Sequence, residues 1–114
     1  MDIIFQDKKL REAFADPRFP RLLEKNYGKQ QAKLLRKRLD DLHAAETLEV
    51  MRSLTGNCHE LSADRKGQLS LDLNGPYRLL FIPANNPIPQ KEKGGLDWTR
   101  VTAVEILGIA DTHE

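Results

Sequence analysis

The chain has 114 residues, a formal net charge of +1 and a single cysteine. This length suits one domain spanning residues 1–114, and one cysteine excludes an internal disulfide, so a reducing, cytoplasmic location is expected. No apolar run is long enough to cross a membrane, and the acidic N-terminus is too briefly apolar for a signal peptide.

Charge is unevenly distributed along the sequence. Residues 7–38 hold 11 Lys and Arg against 4 Asp and Glu, whereas residues 39–114 hold 7 against 12. A basic first third favours an acidic or polyanionic partner, and it is equally compatible with a helical surface that simply stays solvated.

The first part of the sequence predicts a strand and two helical segments. Residues 3–5, Ile-Ile-Phe, form a short β-prone run. Asp7 is suited to cap a helix that ends at residues 16–17, because proline disfavours helical geometry in the residue before it. Residues 21–27 predict a further helical turn that Gly28 ends.

The clearest helical pattern covers residues 29–45. Apolar residues recur there at steps of three and four and form one stripe, consisting of Ala32, Leu35, Leu39 and Leu42. Such a stripe needs a sheet or another helix to cover it. Residues 46–54 predict a short helix that ends at Gly56-Asn57. Its apolar side consists of Leu48, Met51 and Leu54.

Beyond residue 60 the pattern changes to strands. Residues 69–73 alternate leucine with polar residues, which predicts a strand with one buried face. Asn74-Gly75 favours a hairpin turn, and residues 78–82 predict the return strand. Arg78 shares a face with apolar residues of that strand, so we expect it near the end of the sheet or in a polar groove.

A long loop and a last strand complete the pattern. Residues 83–100 lack periodicity and predict the loop, and residues 102–109 alternate and predict the strand. One side of that strand carries Val104, Ile106 and Gly108, and the other carries Glu105, Leu107 and Ile109. One strand, then helices, then three strands predict an α+β fold with helices packed on one face of an antiparallel sheet.

Several polar residues suit phosphodiester chemistry. Cleaving RNA without a metal requires a base, an acid and cations on the phosphoryl oxygens. His59 and His113 are candidate proton-transfer groups because histidine titrates near neutral pH, and Asp111 can orient or raise the pKa of a histidine. Candidate phosphate-binding cations are Arg65, Lys66 and Arg78.

Each of these residues also has an ordinary structural explanation. A single histidine beside a loop is more often a surface or hydrogen-bonding residue, and residues 64–67 can form a charged turn. Arg78 can pair with Asp72 across the hairpin. Tyr77 and Trp98 can stack on bases, and each is more often a packing residue.

No metal or cofactor site is predicted. Cys58 and His59 are adjacent, and adjacent residues of a strand point to opposite faces, so they lack the spacing of metal ligands. The sequence contains no Gly-rich phosphate loop and no nucleophile elbow. Cys58 is expected to be a small core or loop thiol.

Four short motifs resemble the RelE/ParE superfamily of toxins, and within it the HigB-type branch of plasmid-maintenance killer proteins. They are His59, residues 64–67, the Tyr77-Arg78-Leu79 run with Phe81, and the Asp111-Thr112-His113 ending. The resemblance covers most of the chain. It implies a small α+β toxin of a type II toxin–antitoxin system, a metal-independent endoribonuclease that enters the ribosomal A site, contacts ribosomal RNA and cleaves translated mRNA.

The resemblance also implies residue roles and partners. It places His59, Arg78, Asp111 and His113 at catalytic positions, with the loop cations Arg65 and Lys66 binding RNA. A HigA-like helix-turn-helix antitoxin would neutralise the toxin, and the pair would bind operator DNA through the antitoxin. No membrane partner is implied. The sequence departs from the family at Thr112, where the terminal motif has a tyrosine.

Two alternatives stay open. A ParE-like toxin binds DNA gyrase and needs no catalytic histidine. A catalytically weakened toxin would act mainly as a transcriptional corepressor with its antitoxin. In that case the basic helix over residues 29–38 suits docking of an acidic antitoxin segment.

Overall fold

The structure is a computed structural model that describes residues 1–112 of the chain. One strand and three helices come first: β1 (Asp2–Phe5), α1 (Lys8–Ala15), α2 (Phe19–Tyr27) and α3 (Lys29–Ala44). The later strands are β2 (His59–Glu60), β3 (Leu69–Asp72), β4 (Tyr77–Pro83) and β5 (Ala103–Asp111). Short 3₁₀ helices cover Leu48–Ser53, Ala63–Arg65 and Trp98–Arg100. The predicted α+β fold is confirmed.

Local signals explain where the helices begin and end. Asp7 caps α1 as predicted, since its carboxylate accepts a hydrogen bond from the Leu10 backbone N–H at 2.9 Å. α2 begins two residues earlier than predicted, because Pro20 fits the first turn of a helix, where its missing N–H is not needed. Gly28 separates α2 from α3 with a φ of +85°, a conformation that glycine adopts readily. Within residues 1–112 no helix is long and apolar enough to span a membrane.

The five strands form one mixed sheet in the order β1-β5-β4-β3-β2. β1 pairs with β5 in parallel, and the other neighbours are antiparallel. The predicted antiparallel sheet is confirmed for β2 to β5. β1 departs from it, because the intervening helices carry the chain across and allow parallel pairing. β2 was not predicted because two residues are too few to show an alternating pattern.

The helices cover one face of the sheet, here called the core face. Leu35, Leu39 and Leu42 of α3 are fully buried there, as the stripe predicted. Their counterparts on the sheet are Leu69, Leu71, Leu79, Phe81 and Ile106. Removing this much apolar surface from water is the main stabilising contribution to the fold. The opposite face of the sheet, here called the open face, carries the polar residues.

A β-bulge interrupts the last strand at Leu107. The residues on either side, Ile106 and Gly108, pair with consecutive residues of β4, so Leu107 has no partner there. Because one residue is inserted, the alternation changes phase and Ile109 packs against the core. The prediction that Ile109 lies on the side opposite Ile106 is therefore wrong. Gly108 has a φ of +143°, and a Cβ there would lie 3.1 Å from the Asp7 carboxylate.

The segment at residues 83–100 is irregular, as predicted, and is held by specific contacts. The Asn85 side chain accepts hydrogen bonds from the backbone N–H groups of Thr102 and Ala103. Arg100 pairs with Asp97 at 2.8 Å. We call this segment the long loop.

The short helix predicted at residues 46–54 is a 3₁₀ helix, in which Leu48 and Met51 are buried as expected. Leu54 is 38% exposed and lies outside the core, which corrects the predicted apolar side. A 3₁₀ helix has three residues per turn, and Leu54 follows its last turn rather than continuing the buried side.

Candidate functional site

Cross-strand pairing arranges the open face in rows. His59 of β2 pairs with Ser70 of β3, which pairs with Leu80 of β4. The next row toward the hairpin turn contains Asp72 and Arg78. Paired residues share a face, and residues two apart on a strand do so too, so His59 and Arg78 lie on the same face. They stand two strands apart, about 10 Å across the sheet.

The guanidinium group of Arg78 is held toward the hairpin. Its Nε forms an ion pair with the Asp72 carboxylate at 2.9 Å. Its Nη1 donates to the carbonyl oxygens of Gly75 at 3.2 Å and Tyr77 at 2.9 Å. The Arg78 side chain is only 20% exposed. Nε lies within ion-pair distance of Asp72 but donates no hydrogen bond within residues 1–112, and Nη2 has no partner there. The ion pair between Arg78 and Asp72 is the cross-hairpin pair that the sequence predicted.

Arg38 fixes the other side of this arrangement. Its side chain is buried at 8% exposure, and its Nε donates to the Asp72 carbonyl oxygen at 2.7 Å. The Asp72 backbone N–H donates to the Gly56 carbonyl oxygen at 2.7 Å. Asp72 is therefore held by its backbone on one side and by Arg78 on the other. Sequence reasoning missed Arg38, although it sits three residues after Leu35 on the edge of the apolar stripe.

Asp111 does not join the open-face residues. It is the last residue of β5 and pairs with Tyr77, whereas Arg78 pairs with Ala110. Because neighbours on a strand point to opposite faces, Asp111 and Arg78 lie on opposite faces of the sheet. Asp111 and Arg78, which the resemblance places at catalytic positions, therefore do not share a face of the sheet. His113 lies outside the described residues.

His59 is oriented by a backbone contact. Its Nδ1 lies 2.9 Å from the Asn57 carbonyl oxygen. A carbonyl oxygen can only accept, so Nδ1 carries the proton in this contact. In a neutral ring that leaves Nε2 with a free lone pair, which is the protonation state a general base requires.

The cationic loop after β2 is a tight turn. A 3₁₀ helix covers Ala63–Arg65, and Gly67 has a φ of +93°. The Lys66 side chain is exposed and that of Arg65 is partly exposed. Neither takes part in an ion pair within residues 1–112. Both are therefore available to an external anion.

The cationic loop and the long loop enclose a groove across the open face. Two adjoining cavities of about 740 and 470 Å³ share Lys66, Gly67, Pro83 and Ile88. We call the pair the transverse groove. Its β2 end is also lined by Leu61, Gln90 and Leu96, and its β1 end by Gln6, Ile82 and Leu107. No pattern in the sequence of the long loop predicts which strands it faces.

The two candidate stacking residues differ in exposure. Tyr77 is 45% exposed. Trp98 is buried, its Nε1 donates to the Glu60 carboxylate at 3.0 Å, and the Arg52 guanidinium lies 3.8 Å from the centre of its ring. Trp98 therefore anchors the long loop to β2, and of these two residues Tyr77 is the one that presents its ring to solvent.

The remaining chemistry-bearing residues form no site. Burial raises the pKa of the Cys58 thiol to about 12, against a smaller opposing effect of Arg52. The thiol is therefore protonated at neutral pH, which suits a packing role rather than a nucleophile. Within residues 1–112 no group of three or more His, Cys, Asp or Glu is placed to hold a metal ion.

Comparison with solved structures supports the fold assignment. The chain is similar to the YoeB dimer from Staphylococcus aureus, with a TM-score of 0.54 and 14% sequence identity over 100% of this chain and 98% of that one. It is similar to a YoeB/ParE toxin from Agrobacterium tumefaciens, with a TM-score of 0.57 and 8% sequence identity over 99% of this chain and 100% of that one. It is also similar to the YoeB-YefM complex from Staphylococcus aureus, with a TM-score of 0.53 and 13% sequence identity over 100% of this chain and 98% of that one.

At these identities the similarity concerns the fold, which spans the whole chain in each case. No protein-family model and no curated protein matches the sequence.

Proposed function

We propose that this chain is the toxin of a type II toxin–antitoxin system and cleaves mRNA on the ribosome. The observation that carries the proposal is the transverse groove, which is lined by Lys66 and by Glu60, the chain neighbour of His59. The chain shares its fold with YoeB toxins over its full length. The groove is long and open, as a single RNA strand requires. Lys66 lines both cavities and is suited to contact a phosphate.

In the proposed reaction the protein supplies a base and electrostatic stabilisation. His59 Nε2 takes the proton of a ribose 2′-OH, and the resulting oxygen attacks the adjacent phosphorus. The bond from phosphorus to the 5′-oxygen breaks, and that oxygen takes a proton from an acid, the role we assign to His113. Lys66 and Arg65 stabilise the charge that develops on the phosphoryl oxygens. The Nη2 group of Arg78 contributes to the same stabilisation of charge on the phosphoryl oxygens.

The proposed partners follow from the same assignment. A YoeB-YefM complex is among the similar structures, which supports an antitoxin as partner of this chain as well. We propose a HigA-like helix-turn-helix antitoxin, through which the pair would contact operator DNA, and a HigB-type place within the superfamily. Ribosomal RNA and A-site mRNA are the proposed nucleic-acid partners, and the cytoplasm is the proposed location.

The test is controlled expression without antitoxin, followed by primer extension on a translated reporter mRNA. The variants are His59→Ala and, as a matched control, His43→Ala, since His43 is exposed on α3 away from the open face. We expect cuts inside the reading frame for the wild type and His43→Ala, and a decrease of about 10²-fold or more for His59→Ala. Intact mRNA in arrested wild-type cells would contradict the nuclease.

A second candidate is a ParE-like toxin that binds DNA gyrase without catalysis. Two observations favour it: Arg78 is engaged by Asp72, and Asp111 lies on the opposite face of the sheet. Growth arrest without mRNA cuts, together with loss of supercoiling by purified gyrase, would establish this reading. Absence of any arrest would leave the corepressor role.

A further inference from the structure

One half of the transverse groove has features that the proposed cleavage reaction does not use. It is the cavity of about 470 Å³ at the β1 end of the groove, here called the β1-end cavity. Its volume lies within the range of roughly 300–1,000 Å³ that is usual for small-ligand pockets. Besides a cation, its lining includes two amides and three aliphatic side chains, namely Lys66, Gln6, Gln68, Ile82, Ile88 and Leu107.

The aliphatic side chains of the cavity come from the sheet and from the long loop. Ile82 of β4 and Leu107 of β5 are half-buried, and Ile88 of the long loop is 47% exposed. Ile106 is buried in the core, so its neighbour Leu107 is turned to the open face. The cavity therefore leaves apolar surface in water on both sides, and a flat apolar ligand inside it would remove that surface from water.

The part of the long loop that carries Ile88 is held in place by its own contacts. Pro89 directly follows Ile88, and its carbonyl oxygen accepts a hydrogen bond from the Asp97 backbone N–H at 3.1 Å. The next residue, Trp98, donates to the Glu60 carboxylate at 3.0 Å. Because these contacts order the loop before any ligand binds, a ligand gains its contact with Ile88 at a small cost in conformational entropy.

The amides of the cavity provide hydrogen-bonding groups beside this apolar surface. The Oε1 atom of Gln68 is buried and has no hydrogen-bond partner within residues 1–112. Gln6 is exposed, and its backbone N–H donates to the Ile106 carbonyl oxygen at 2.8 Å, which fixes where its side chain begins. A half-turn of the Gln68 amide exchanges its oxygen and nitrogen, so the group can present a donor or an acceptor to the cavity. An unsatisfied amide favours a ligand whose edge supplies the missing partners.

The charge of the cavity favours an anionic ligand. Lys66 is exposed and takes part in no ion pair within residues 1–112, and none of the residues lining the cavity is acidic. A nucleotide fits all three features, with the face of its base on the aliphatic side chains, its base edge at the amides and its phosphate at Lys66. An apolar peptide side chain would use the aliphatic surface alone and leave the Gln68 amide unsatisfied.

We propose that the β1-end cavity binds one nucleobase, which packs between Ile88 and the sheet and forms hydrogen bonds at its edge with the amides of Gln68 and Gln6. The inference rests on the proposed function, since the base would belong to the RNA strand in the transverse groove. It gives the long loop a part in selecting the RNA sequence. Binding of a free nucleotide requires neither the ribosome nor cleavage, so failure of this proposal is distinguishable from failure of the nuclease.

The test is titration of the isotopically labelled full chain with the common nucleoside 5′-monophosphates, followed through the NMR signals of the glutamine side-chain amides. Ribose 5-phosphate is the control ligand, because it has the sugar and the phosphate and lacks the base. Gln68→Leu removes the amide at similar volume, and Gln30→Leu makes the same change at an exposed position of α3. Ile88→Asn removes apolar surface from the cavity, and its control is Val50→Asn, at a position 40% exposed on the first 3₁₀ helix. Thermal melting verifies that all variants fold.

We expect at least one nucleotide to bind about tenfold more tightly than ribose 5-phosphate and to shift the Gln68 amide signals. Gln68→Leu should reduce the preference among the bases to less than about twofold. Ile88→Asn should weaken binding of every nucleotide about fivefold, because it removes a contact with the base face. Both control variants should bind as the wild type does.

Three results would overturn the proposal: equal binding of ribose 5-phosphate, an unchanged base preference in Gln68→Leu, or no shift with any nucleotide at about 10 mM. Binding of N-acetyl-leucinamide that depends on Ile88 and not on Gln68, without nucleotide binding, would overturn it in favour of an apolar peptide side chain. Nucleotide binding by a chain that leaves mRNA intact would support the cavity and contradict the nuclease. Cleavage of mRNA by a chain that binds no nucleotide would do the reverse.

Discussion

The two ends of the sheet differ in how their charged residues are used. At the hairpin end, the cations Arg38 and Arg78 are engaged by Asp72, through its carbonyl oxygen and its carboxylate respectively. At the groove end, Arg65 and Lys66 have no ion-pair partner within residues 1–112. At the hairpin end the charged side chains bind Asp72, and Arg38 thereby holds β3 to α3. At the groove end the cations are available to bind a ligand.

The hairpin end of the sheet should therefore contribute mainly to stability, and the groove end mainly to binding. Charges that are partly buried and hydrogen-bonded fix geometry, and removing one leaves its partner unsatisfied. Exposed unpaired cations contribute little to stability and much to the attraction of a polyanion. Substitutions at the hairpin end should therefore change mainly the free energy of unfolding, and substitutions at the groove end should change mainly RNA affinity.

The largest expected effect is that of Arg38→Met. The substitution keeps an apolar stem and removes the donor to the Asp72 carbonyl oxygen, so we expect a loss of about 2–3 kcal/mol in the free energy of unfolding. Urea titration measures it. Arg36→Met, on an exposed position of the same helix, should stay within about 0.5 kcal/mol. An equal loss in both variants would contradict the special role of the hairpin end.

The groove end is tested by Arg65→Ala combined with Lys66→Ala. We expect affinity for a single-stranded RNA oligonucleotide to fall about tenfold, with little change in melting temperature. If both side chains contact phosphates, the slope of log affinity against log salt should become shallower by about 1.4. Lys29→Ala with Lys33→Ala removes the same charge from the helical side and should leave the slope unchanged. Identical slopes for all three proteins would place the RNA elsewhere.

A double-mutant cycle sharpens the assignment of Asp72 and Arg78. Their side chains are 35% and 20% exposed, so solvent screens the pair in part. We expect a coupling energy of about 0.5–1 kcal/mol from Asp72→Asn, Arg78→Gln and the double variant, measured by urea titration. A coupling energy of zero would mean that Asp72 does not hold Arg78, which would then be available to bind RNA. The RNA affinity of Asp72→Asn then shows whether releasing Arg78 strengthens binding.

The smallest expected effect is that of Ser70→Ala, in the row between the two ends. Ser70 is fully buried, and its hydroxyl oxygen has no hydrogen-bond partner within residues 1–112. Removing an unsatisfied buried hydroxyl should be neutral or raise the free energy of unfolding by about 0.5 kcal/mol. Thermal melting checks the sign. A clear loss of stability would show that the hydroxyl forms a contact that matters to the middle of the sheet.

Much of the fold was accessible from local pattern. The stripe on α3, the Asp7 cap and the hairpin between β3 and β4 were predicted at nearly the observed positions. These features depend on residues close in sequence, whose spacing reflects helix and strand geometry directly. The Arg78–Asp72 pair was foreseeable for the same reason, since a two-strand hairpin fixes its own register.

The candidate site was less accessible. Whether Asp111 shares a face with Arg78 depends on the register between β4 and β5, and the bulge at Leu107 shifts that register. The groove wall around Ile88 depends on how the long loop folds back, which rests on contacts such as Trp98 to Glu60. Pairings between residues far apart in sequence leave no periodic signal.

The sequence by itself determined most element types, the α+β fold and the basic helical side, because these follow from propensity, periodicity and composition. Only the tertiary structure decided which cations bind groups inside the protein and which face solvent. An arginine looks the same in sequence whether it is buried, as Arg38 is, or partly exposed with no ion-pair partner within residues 1–112, as Arg65 is. The difference lies in which partner the fold places within hydrogen-bond distance.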